Sequence, residues 1–480
     1  MNKRKVFFTL GQMLLLESAL LLLPTLVAVL YRENTVISFL ITVAIAAALG
    51  GILTFIFRKR NDTIYAREGF AIVALSWIVL SLVGALPFYL SREIPSYVDA
   101  FFETVSGLTT TGASILDNLE SLSRGMLFWR SFTHWIGGMG VIVFIMAILP
   151  SLSDRSIHIM RAEVAGPVVG KLVPRAKDTA RVLYLIYLGL TAVQIVMLLF
   201  GKMPLFDSVV HTFGTAGTGG FGIKANSIAS YSPYCQWVIT VFMLIFGINF
   251  NVYYLLLIRR IKHVIKNTEL WVFLGIVVLS TTIIAINVRT MYSGTEETVR
   301  TAAFQVASII STTGYSTVDF NLWPGLSKAV LFILMFLGSC GGSTAGGIKI
   351  SRVILLFKMV RNELRHLLSP KSVNSVRVDG KQVDQSVLKN ASNYFILYFL
   401  CFGAIFLVLS FEPFSMETNI SATAACFNNV GPGFDAVGPA SSFSAYSGLS
   451  KIVLSFAMLL GRLELFPMIL IFSPKLWKKN

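Results

Sequence analysis

Four short glycine-centred strings recur along this 480-residue chain at intervals of about a hundred residues. Aligned on the central glycine, string one is Thr110-Thr111-Gly112, string two Thr218-Gly219-Gly220, string three Thr312-Thr313-Gly314 and string four Asn429-Val430-Gly431. Most of these side chains are short, and glycine adopts dihedral angles that can turn successive carbonyl oxygens inward. A ring of carbonyl oxygens can replace the hydration shell of a cation without a formal charge. We therefore predict that the strings line an ion-selective pore.

A segment with helical apolar spacing precedes each string, as in "SYVDAFFETVSGL" before string one, and is too short to cross a membrane. The C-terminal end of such a helix carries partial negative charge and would favour a cation. One such loop would be read as an ordinary surface loop. Four in register indicate pore-lining loops, because irregular backbone at membrane depth is tolerated only inside protein or beside water.

Acidic residues follow three of the strings, namely Asp117, Asp319 and Asp435, whereas Lys224 follows string two. These carboxylates would either make the outer vestibule acidic or simply be solvated in exposed loops. Both interpretations remain open at the level of the sequence.

The composition is that of a membrane protein, with 55% hydrophobic and only 13% charged residues, against roughly 25% charged in soluble domains. About ten candidate spans of suitable length lie near 6–31, 36–57, 68–90, 126–149, 180–201, 235–258, 269–288, 325–357, 388–410 and 447–472. The first is predicted to be a retained span and not a signal peptide. Lysine and arginine cluster in alternate connections, which predicts cytoplasmic termini and argues against nucleic-acid binding.

The order of elements predicts an all-α integral membrane protein. Two extra N-terminal transmembrane helices precede four membrane–pore-loop–membrane repeats in a pseudo-fourfold arrangement. The predicted boundaries are 1–62 for the N-terminal helices and 63–160, 161–266, 267–370 and 371–480 for the repeats.

The predicted span 325–357 is interrupted by "GSCGGSTAGGIK" at 338–349, hereafter the 338–349 loop. A continuous membrane helix would pay about 1 kcal/mol for each glycine, so we predict a break, although small residues can also serve close helix packing. The loop lacks the Gly-Lys-Ser/Thr ending of a phosphate loop.

Arg462 and Glu464 are charges within the last predicted span, where such residues are usually functional or paired. Glu464 is predicted to pair with Lys349 or Arg462. The five histidines and four cysteines are scattered and indicate neither a metal site nor a disulfide framework. No nucleophile–base pair is visible, so we do not expect an enzyme.

The strings, with "HWIGGMGVIVFIMAILP" at 134–150, "STTGYSTVDFNLWPG" at 311–325 and "GRLELFPMIL" at 461–470, resemble the TrkH/TrkG/KtrB superfamily of potassium transporters over essentially the whole chain. The two extra N-terminal spans point to the TrkH/TrkG branch. The resemblance implies that the strings form a potassium selectivity filter, with glycine at each key position. Asn429 and Pro432 depart from the pattern of the other repeats.

The same resemblance implies an intramembrane gate beneath the filter and a pore barrier at Arg462. The implied gate residues are Gly341, Gly342, Ser343, Thr344, Ala345, Gly346, Gly347 and Lys349. It further implies a homodimer in the bacterial cytoplasmic membrane and a cytosolic TrkA-type regulatory subunit that binds the nucleotide, since this chain binds none. Potassium would be held by backbone carbonyls, with no organic cofactor.

An Asp379-Gly380 pair within the basic segment 361–389 predicts a short hairpin, where a solvated basic loop is the alternative. For the whole chain the sequence favours channel-like potassium uptake. A sodium- and potassium-permeable or ion-coupled (symport) transporter of the same fold is the alternative. An alternating-access carrier would predict inverted repeats, and the repeats here read as parallel.

Overall fold

The computed structural model describes residues 2–58, 66–140, 176–370 and 375–478. The second half of the predicted span 126–149, the basic segment that follows it and the predicted boundaries at residues 62 and 160 lie outside these ranges. The predicted repeat boundaries therefore stay predictions.

The described chain is predominantly helical. Its helices are α1 Lys3–Leu20, α2 Leu22–Leu30, α3 Val36–Ile56, α4 Ala66–Gly84, α5 Leu86–Leu90, α6 Tyr97–Leu108, α7 Arg124–Gly138, α8 Ala176–Phe200, α9 Leu205–Gly217, α10 Pro233–Gly247, α11 Phe250–Leu257, α12 Ile261–Ile265, α13 Thr268–Asn287, α14 Thr295–Ile310, α15 Gly325–Leu337, α16 Ile350–Leu368, α17 Gln385–Leu409, α18 Met416–Phe427, α19 Gly448–Arg462, α20 Phe466–Ile471 and α21 Pro474–Trp477.

Six stretches of the described chain are long and apolar enough to cross a membrane alone, and a seventh results if α10 and α11 count as one span. These two helices meet at 90°, although the sequence predicted one continuous span over 235–258. The predicted spans 325–357 and 447–472 are likewise broken, the second at Glu464 and Leu465, which have φ of 55° and 66°.

The two additional N-terminal spans pack tightly against each other. A Cβ atom built on Gly11 would lie 2.9 Å from the carbonyl oxygen of Gly50, and one built on Gly50 would lie 2.8 Å from that of Gly11. Glycines at this crossing therefore let the backbones of α1 and α3 approach closely. The carboxylate of Glu33 accepts hydrogen bonds from the backbone N–H groups of Arg124 at 2.6 Å and Gly125 at 2.9 Å. This contact caps α7 and joins the N-terminal pair to the first repeat.

Each of the four repeats consists of a long helix, a short helix, a glycine-centred string and a second, outgoing helix. The short helices are α6, α9, α14 and α18, and each has an acidic residue in its first turn, which suits the positive end of the helix dipole. The strings begin where these helices end. The fold is therefore the predicted one: four membrane–pore-loop–membrane repeats after two N-terminal spans.

The predicted hairpin is present. Strands β1 Arg377–Val378 and β2 Lys381–Gln382 pair antiparallel, with Asp379 and Gly380 both at positive φ in the turn, as a two-residue hairpin favours. The Asp379 carboxylate accepts hydrogen bonds from the backbone N–H of Thr268 at 2.9 Å and from its hydroxyl at 2.6 Å. The hairpin is thus docked on the start of α13.

Candidate ion pathway

The four strings share one backbone conformation. Their first residues, Thr110, Thr218, Thr312 and Asn429, all have φ of 56–57°, and the glycines at their third positions, Gly112, Gly220, Gly314 and Gly431, have φ of 72–101°. The N–H of each second residue bonds the carbonyl five residues earlier at 2.8 Å, in the pairs Thr111–Ser106, Gly219–Gly214, Thr313–Ser308 and Val430–Ala425. This is the hydrogen bond of a Schellman helix ending. The alignment of the strings made on sequence is therefore also the structural one.

The strings form a closed ring. A Cβ atom on Gly112 would overlap the carbonyl oxygen of Gly219, one on Gly220 that of Thr313, and one on Gly314 that of Val430. The fourth contact returns to the start, because a Cβ atom on Gly431 would lie 2.8 Å from the carbonyl oxygen of Thr111. Each third-position glycine thus packs against the second position of the next repeat. The strings therefore follow one another around the ring in chain order, and the fourth contacts the first, which is the predicted pseudo-fourfold arrangement.

Asn429, which departs from threonine, ties the ring together between its last and first repeats. Its amide nitrogen donates to the hydroxyl of Thr111 and to the carbonyl oxygen of Met458, both at 2.9 Å. A threonine hydroxyl has a single hydrogen and could not donate to both acceptors. The departure from the pattern therefore has a bridging role.

On one side of the ring, all four third-position glycines line an open cavity that also contains Asp117 and Lys224. Asp319 and Asp435 do not line this cavity, so of the two interpretations left open by the sequence, the acidic vestibule fits only Asp117 of these three residues. Asp319 instead accepts from the N–H of Asn321 at 3.0 Å. Asp435 accepts from the hydroxyls of Ser415 at 2.5 Å and Thr418 at 2.6 Å, and these bonds lower the pKa of its carboxyl. Local capping has taken both residues out of the vestibule.

On the other side, the 338–349 loop lies directly against the strings. The N–H of Gly346 donates to the hydroxyl of Thr312 at 2.7 Å, and the hydroxyl of Ser339 donates to the carbonyl oxygen of Ile310 at 2.9 Å. A Cβ atom on Gly346 would lie 2.5 Å from the carbonyl oxygen of Asn428. The loop therefore packs against the beginnings of strings three and four. Helix α15 ends at one end of the loop, and α16 begins at the other.

The 338–349 loop provides hydrogen-bond partners for backbone groups at the break between α10 and α11. The N–H of Cys340 donates to the carbonyl oxygen of Gly247, and the N–H of Phe250 donates to that of Gly342, both at 3.1 Å. Backbone groups freed at the 90° bend thus find partners in the loop, as the interior of a membrane protein requires. The sequence did not predict this bend, because each half is apolar and the partner lies almost a hundred residues away.

Glu269, in the first turn of α13, was also missed. Its Oε1 atom accepts hydrogen bonds from the N–H of Gly341 at 2.7 Å and from that of Ser351 at 3.1 Å, so one carboxylate holds both ends of the loop. The available signal was its position as an acidic residue at the start of a span.

Lys349 closes the loop in a strained conformation. Its φ is 73°, a region that costs a non-glycine residue about 1–3 kcal/mol. Its side chain is only 1% exposed, and its ammonium donates to the carbonyl oxygen of Ala345. The Lys349 side chain therefore folds back and bonds within the 338–349 loop.

Arg462 lies beside the loop. Its guanidinium donates to the carbonyl oxygens of Thr344 at 2.7 Å, Gly137 at 2.6 Å and Gly138 at 2.7 Å. These contacts join the loop to the C-terminal end of α7, on the wall of a cavity that loop residues also line. A fixed positive charge therefore stands beside the loop, on the side of the ring opposite Asp117.

Glu464 has a partner that the sequence did not predict. Its carboxylate pairs with both terminal nitrogens of Arg352, one at 3.2 Å. The Arg352 guanidinium also lies over the Tyr394 ring, 4.0 Å from its centroid. Planar guanidinium suits this fork and stack better than an ammonium does. This role of Arg352 was not predicted from the sequence.

Comparison with known proteins agrees with this architecture. Residues 36–479 match the family model described as "TrkH: Cation transport protein". The Trk system potassium uptake protein TrkH of Salmonella typhimurium is 36% identical over 488 residues, covering 100% of both chains. The Trk system potassium uptake protein TrkG of Escherichia coli is 35% identical, covering 98% of this chain and 97% of that protein.

A solved structure has the same fold. The crystal structure of the potassium transporter TrkH from Vibrio parahaemolyticus matches with a TM-score of 0.89 at 33% identity, covering 100% of both chains. The predicted fold class and the predicted resemblance are thereby confirmed. On the strength of the full-length identity and the shared four-repeat architecture, this chain belongs to the TrkH family of cation transport proteins.

Proposed function

We propose that this protein conducts potassium into the cell through one channel-like pore per chain. The observation that carries the proposal is the closed ring of four strings, in which each third-position glycine packs against the backbone carbonyl oxygen of the second residue in the next string. The similar proteins named as potassium uptake proteins support the choice of ion.

In this proposal the strings are the selectivity filter. Glycine at all four third positions keeps side chains out of the axis, so backbone carbonyls are left to replace the hydration shell. The C-terminal ends of α6, α9, α14 and α18 add negative partial charge at the same place. The membrane potential then contributes about 2.3 kcal/mol per charge per 100 mV to inward movement. Potassium is the substrate here, held by backbone carbonyls with no organic cofactor.

The 338–349 loop is the proposed gate and Arg462 the proposed barrier. The hydrogen bond from Gly346 to Thr312 holds the loop against the filter, and the Arg462 guanidinium places a positive charge where a dwelling cation would pause. Each net hydrogen bond is worth about 0.5–1.5 kcal/mol. Opening the loop would therefore cost a few kcal/mol, which the binding of a partner can supply.

We further propose that regulation reaches the gate through α16, which begins at the end of the loop. The Lys358 ammonium on α16 donates to the carbonyl oxygen of Arg377 in the hairpin at 2.7 Å. A cytosolic, nucleotide-binding subunit that docks on the hairpin would pull directly on the gate. A homodimer of this chain in the cytoplasmic membrane, with both termini in the cytoplasm, would present two such hairpins to the partner.

Flux measurements test the proposal. The purified protein in liposomes, with an imposed inside-negative potential, should take up radioactive rubidium and should exclude sodium at equal concentration. Protein-free liposomes made in parallel provide the background. Uptake of sodium without rubidium would overturn the potassium assignment.

A less selective cation pathway is the second candidate, because string four differs from the others. Gly431 has φ of 101°, against 72–84° for the other three glycines. The peptide that joins Gly431 to Pro432 also has no N–H through which a neighbouring side chain could anchor it. Comparable uptake of rubidium and sodium would favour this reading. Uptake that also requires a proton or sodium gradient would indicate coupled transport.

A further inference from the structure

Two residues of the first repeat lie behind the string of the second. Arg130 and His134 are one turn apart on the same face of α7, and both are fully enclosed by protein. Between their side chains lies the ring of Phe221, which directly follows Gly220. The Arg130 guanidinium carbon is 3.5 Å from the centroid of this ring, and the His134 ring centroid is 4.2 Å from it.

His134 determines how the peptide after Gly220 is oriented. Its Nδ1 atom lies 2.8 Å from the carbonyl oxygen of Gly107 and must donate the hydrogen bond, so Nε2 is free to accept. Nε2 accepts from the backbone N–H of Phe221 at 3.3 Å. In a trans peptide the N–H and the preceding C=O point in opposite directions. Anchoring this N–H behind the string therefore aims the Gly220 carbonyl towards the axis.

Arg130 holds the next residue of the same string. Its Nη1 atom donates to the carbonyl oxygen of Gly222 at 2.9 Å, and its Nε atom donates to the Glu103 carboxylate at 2.5 Å. That carboxylate also accepts from the hydroxyl of Ser114 and from the N–H of Ile115, both at 3.0 Å. One ion pair therefore braces the outer ends of strings one and two together.

The other strings have no counterpart of the His134 contact. Among the described residues, the N–H groups of Ala113 and Tyr315, which follow Gly112 and Gly314, have no hydrogen-bond partner, and Pro432 has no N–H. String two is also the one with two consecutive glycines before Phe221, so its backbone has the greatest freedom.

The second repeat does not supply this brace itself. Glu103 lies nine residues before Gly112, and the residue nine before Gly220 is His211. The His211 Nδ1 atom lies 2.8 Å from the carbonyl oxygen of Asp207, within its own helix, and Nε2 has no hydrogen-bond partner among the described residues. His211 therefore bonds no backbone group of string two.

We propose that His134 and Arg130 are positioning residues that determine ion selectivity by holding the Gly220 carbonyl of string two in place from the neighbouring repeat. The inference rests on the proposed role of the strings as the filter. Neither side chain contacts the ion. Their effect passes through the Phe221 and Gly222 backbone.

The test is the ratio of rubidium to sodium uptake in liposomes that contain the full-length protein. His134→Gln keeps an acceptor near the position of Nε2, whereas His134→Asn keeps only a donor towards Gly107. Because a net hydrogen bond is worth about 1 kcal/mol, we expect His134→Asn to lower the ratio roughly three- to tenfold and His134→Gln to retain it. Arg130→Lys, which preserves the charge beside Glu103 but loses the fork and the flat stack, should also lower it.

His211→Asn is the matched control, because it makes the same change at a buried histidine that does not bond string two. The His211 ring packs against the Tyr315 ring, with 5.8 Å between their centroids, and bonds no backbone group of string two, so the ratio should fall less than in His134→Asn. An unchanged ratio in well-folded His134→Asn, or an equal fall in His134→Asn and His211→Asn, would overturn the proposal. Should His134→Asn fail to fold, Arg130→Lys decides by the same criterion. A wild-type protein that does not discriminate rubidium from sodium would instead refute the proposed filter itself.

Discussion

The replacement Gly314→Ser tests the ring of strings most directly. Gly314 has φ of 84°, a conformation that costs a residue with a Cβ atom about 1–2 kcal/mol. The new Cβ atom would overlap the Val430 carbonyl oxygen and would lie 2.9 Å from Cδ of Pro432. That oxygen must move by roughly 1 Å to restore ordinary van der Waals contact. The perturbation thus displaces a carbonyl of string four from string three.

We expect this displacement to lower the ratio of rubidium to sodium uptake at least about tenfold, equivalent to about 1.4 kcal/mol. The strain is small beside a typical folding stability of 5–15 kcal/mol, so the variant should still fold. Gly325→Ser is the matched control, since a Cβ atom there meets nothing within 4 Å and the change lies in the same repeat. Liposome flux with both ions gives the ratio. If a folded Gly314→Ser protein keeps the wild-type ratio, strings three and four do not form adjacent filter walls.

Three further predictions concern the gate, a buried ion pair and a cap. Thr312→Val removes the acceptor for the Gly346 N–H at nearly constant volume. Ion uptake in the absence of the regulatory subunit should therefore rise several-fold, in line with about 1 kcal/mol per hydrogen bond. An unchanged flux would contradict the idea that this hydrogen bond holds the gate closed. Arg352→Ala leaves the Glu464 carboxylate without its partner and should destabilise the protein by about 3 kcal/mol. The double variant Arg352→Met with Glu464→Gln should recover part of this loss, as measured by thermal unfolding. Equal losses in the two variants would argue against the pair. Hydrogen bonds hold the pKa of the Asp435 carboxyl below its usual value. The stabilisation of the protein by these bonds is therefore full above about pH 4 and is lost as the pH falls through the lowered pKa. The stability difference between wild type and Asp435→Asn should vanish in acid, and a difference independent of pH would refute this prediction.

Local features were predictable because glycine, proline and apolar periodicity act within a few residues. The left-handed first position of each string and the Schellman bond that follows it come from the helix ending itself, so aligning the strings by their glycines was enough. The turn at Asp379-Gly380 likewise needs no distant partner. The interruption at 338–349 follows from the cost of glycine in a helix.

What the sequence left open or missed has an equally physical origin. It left open whether Asp319 and Asp435 face the vestibule, and their carboxylates bind nearby N–H and hydroxyl donors. The pairing of Glu464 with Arg352, in the first turn of α16, joins residues 112 positions apart, which no local pattern in the sequence could indicate.

By itself, the sequence determined the membrane class, the four repeats and the residues at which each string turns, because these depend on composition and on dihedral preferences within one segment. Only the tertiary structure decided which carbonyl faces which glycine, how Glu269 holds the loop, and that His134 supports a string almost ninety residues away. Such contacts join repeats whose order around the axis is set by packing. No local preference in either segment records the identity of the partner.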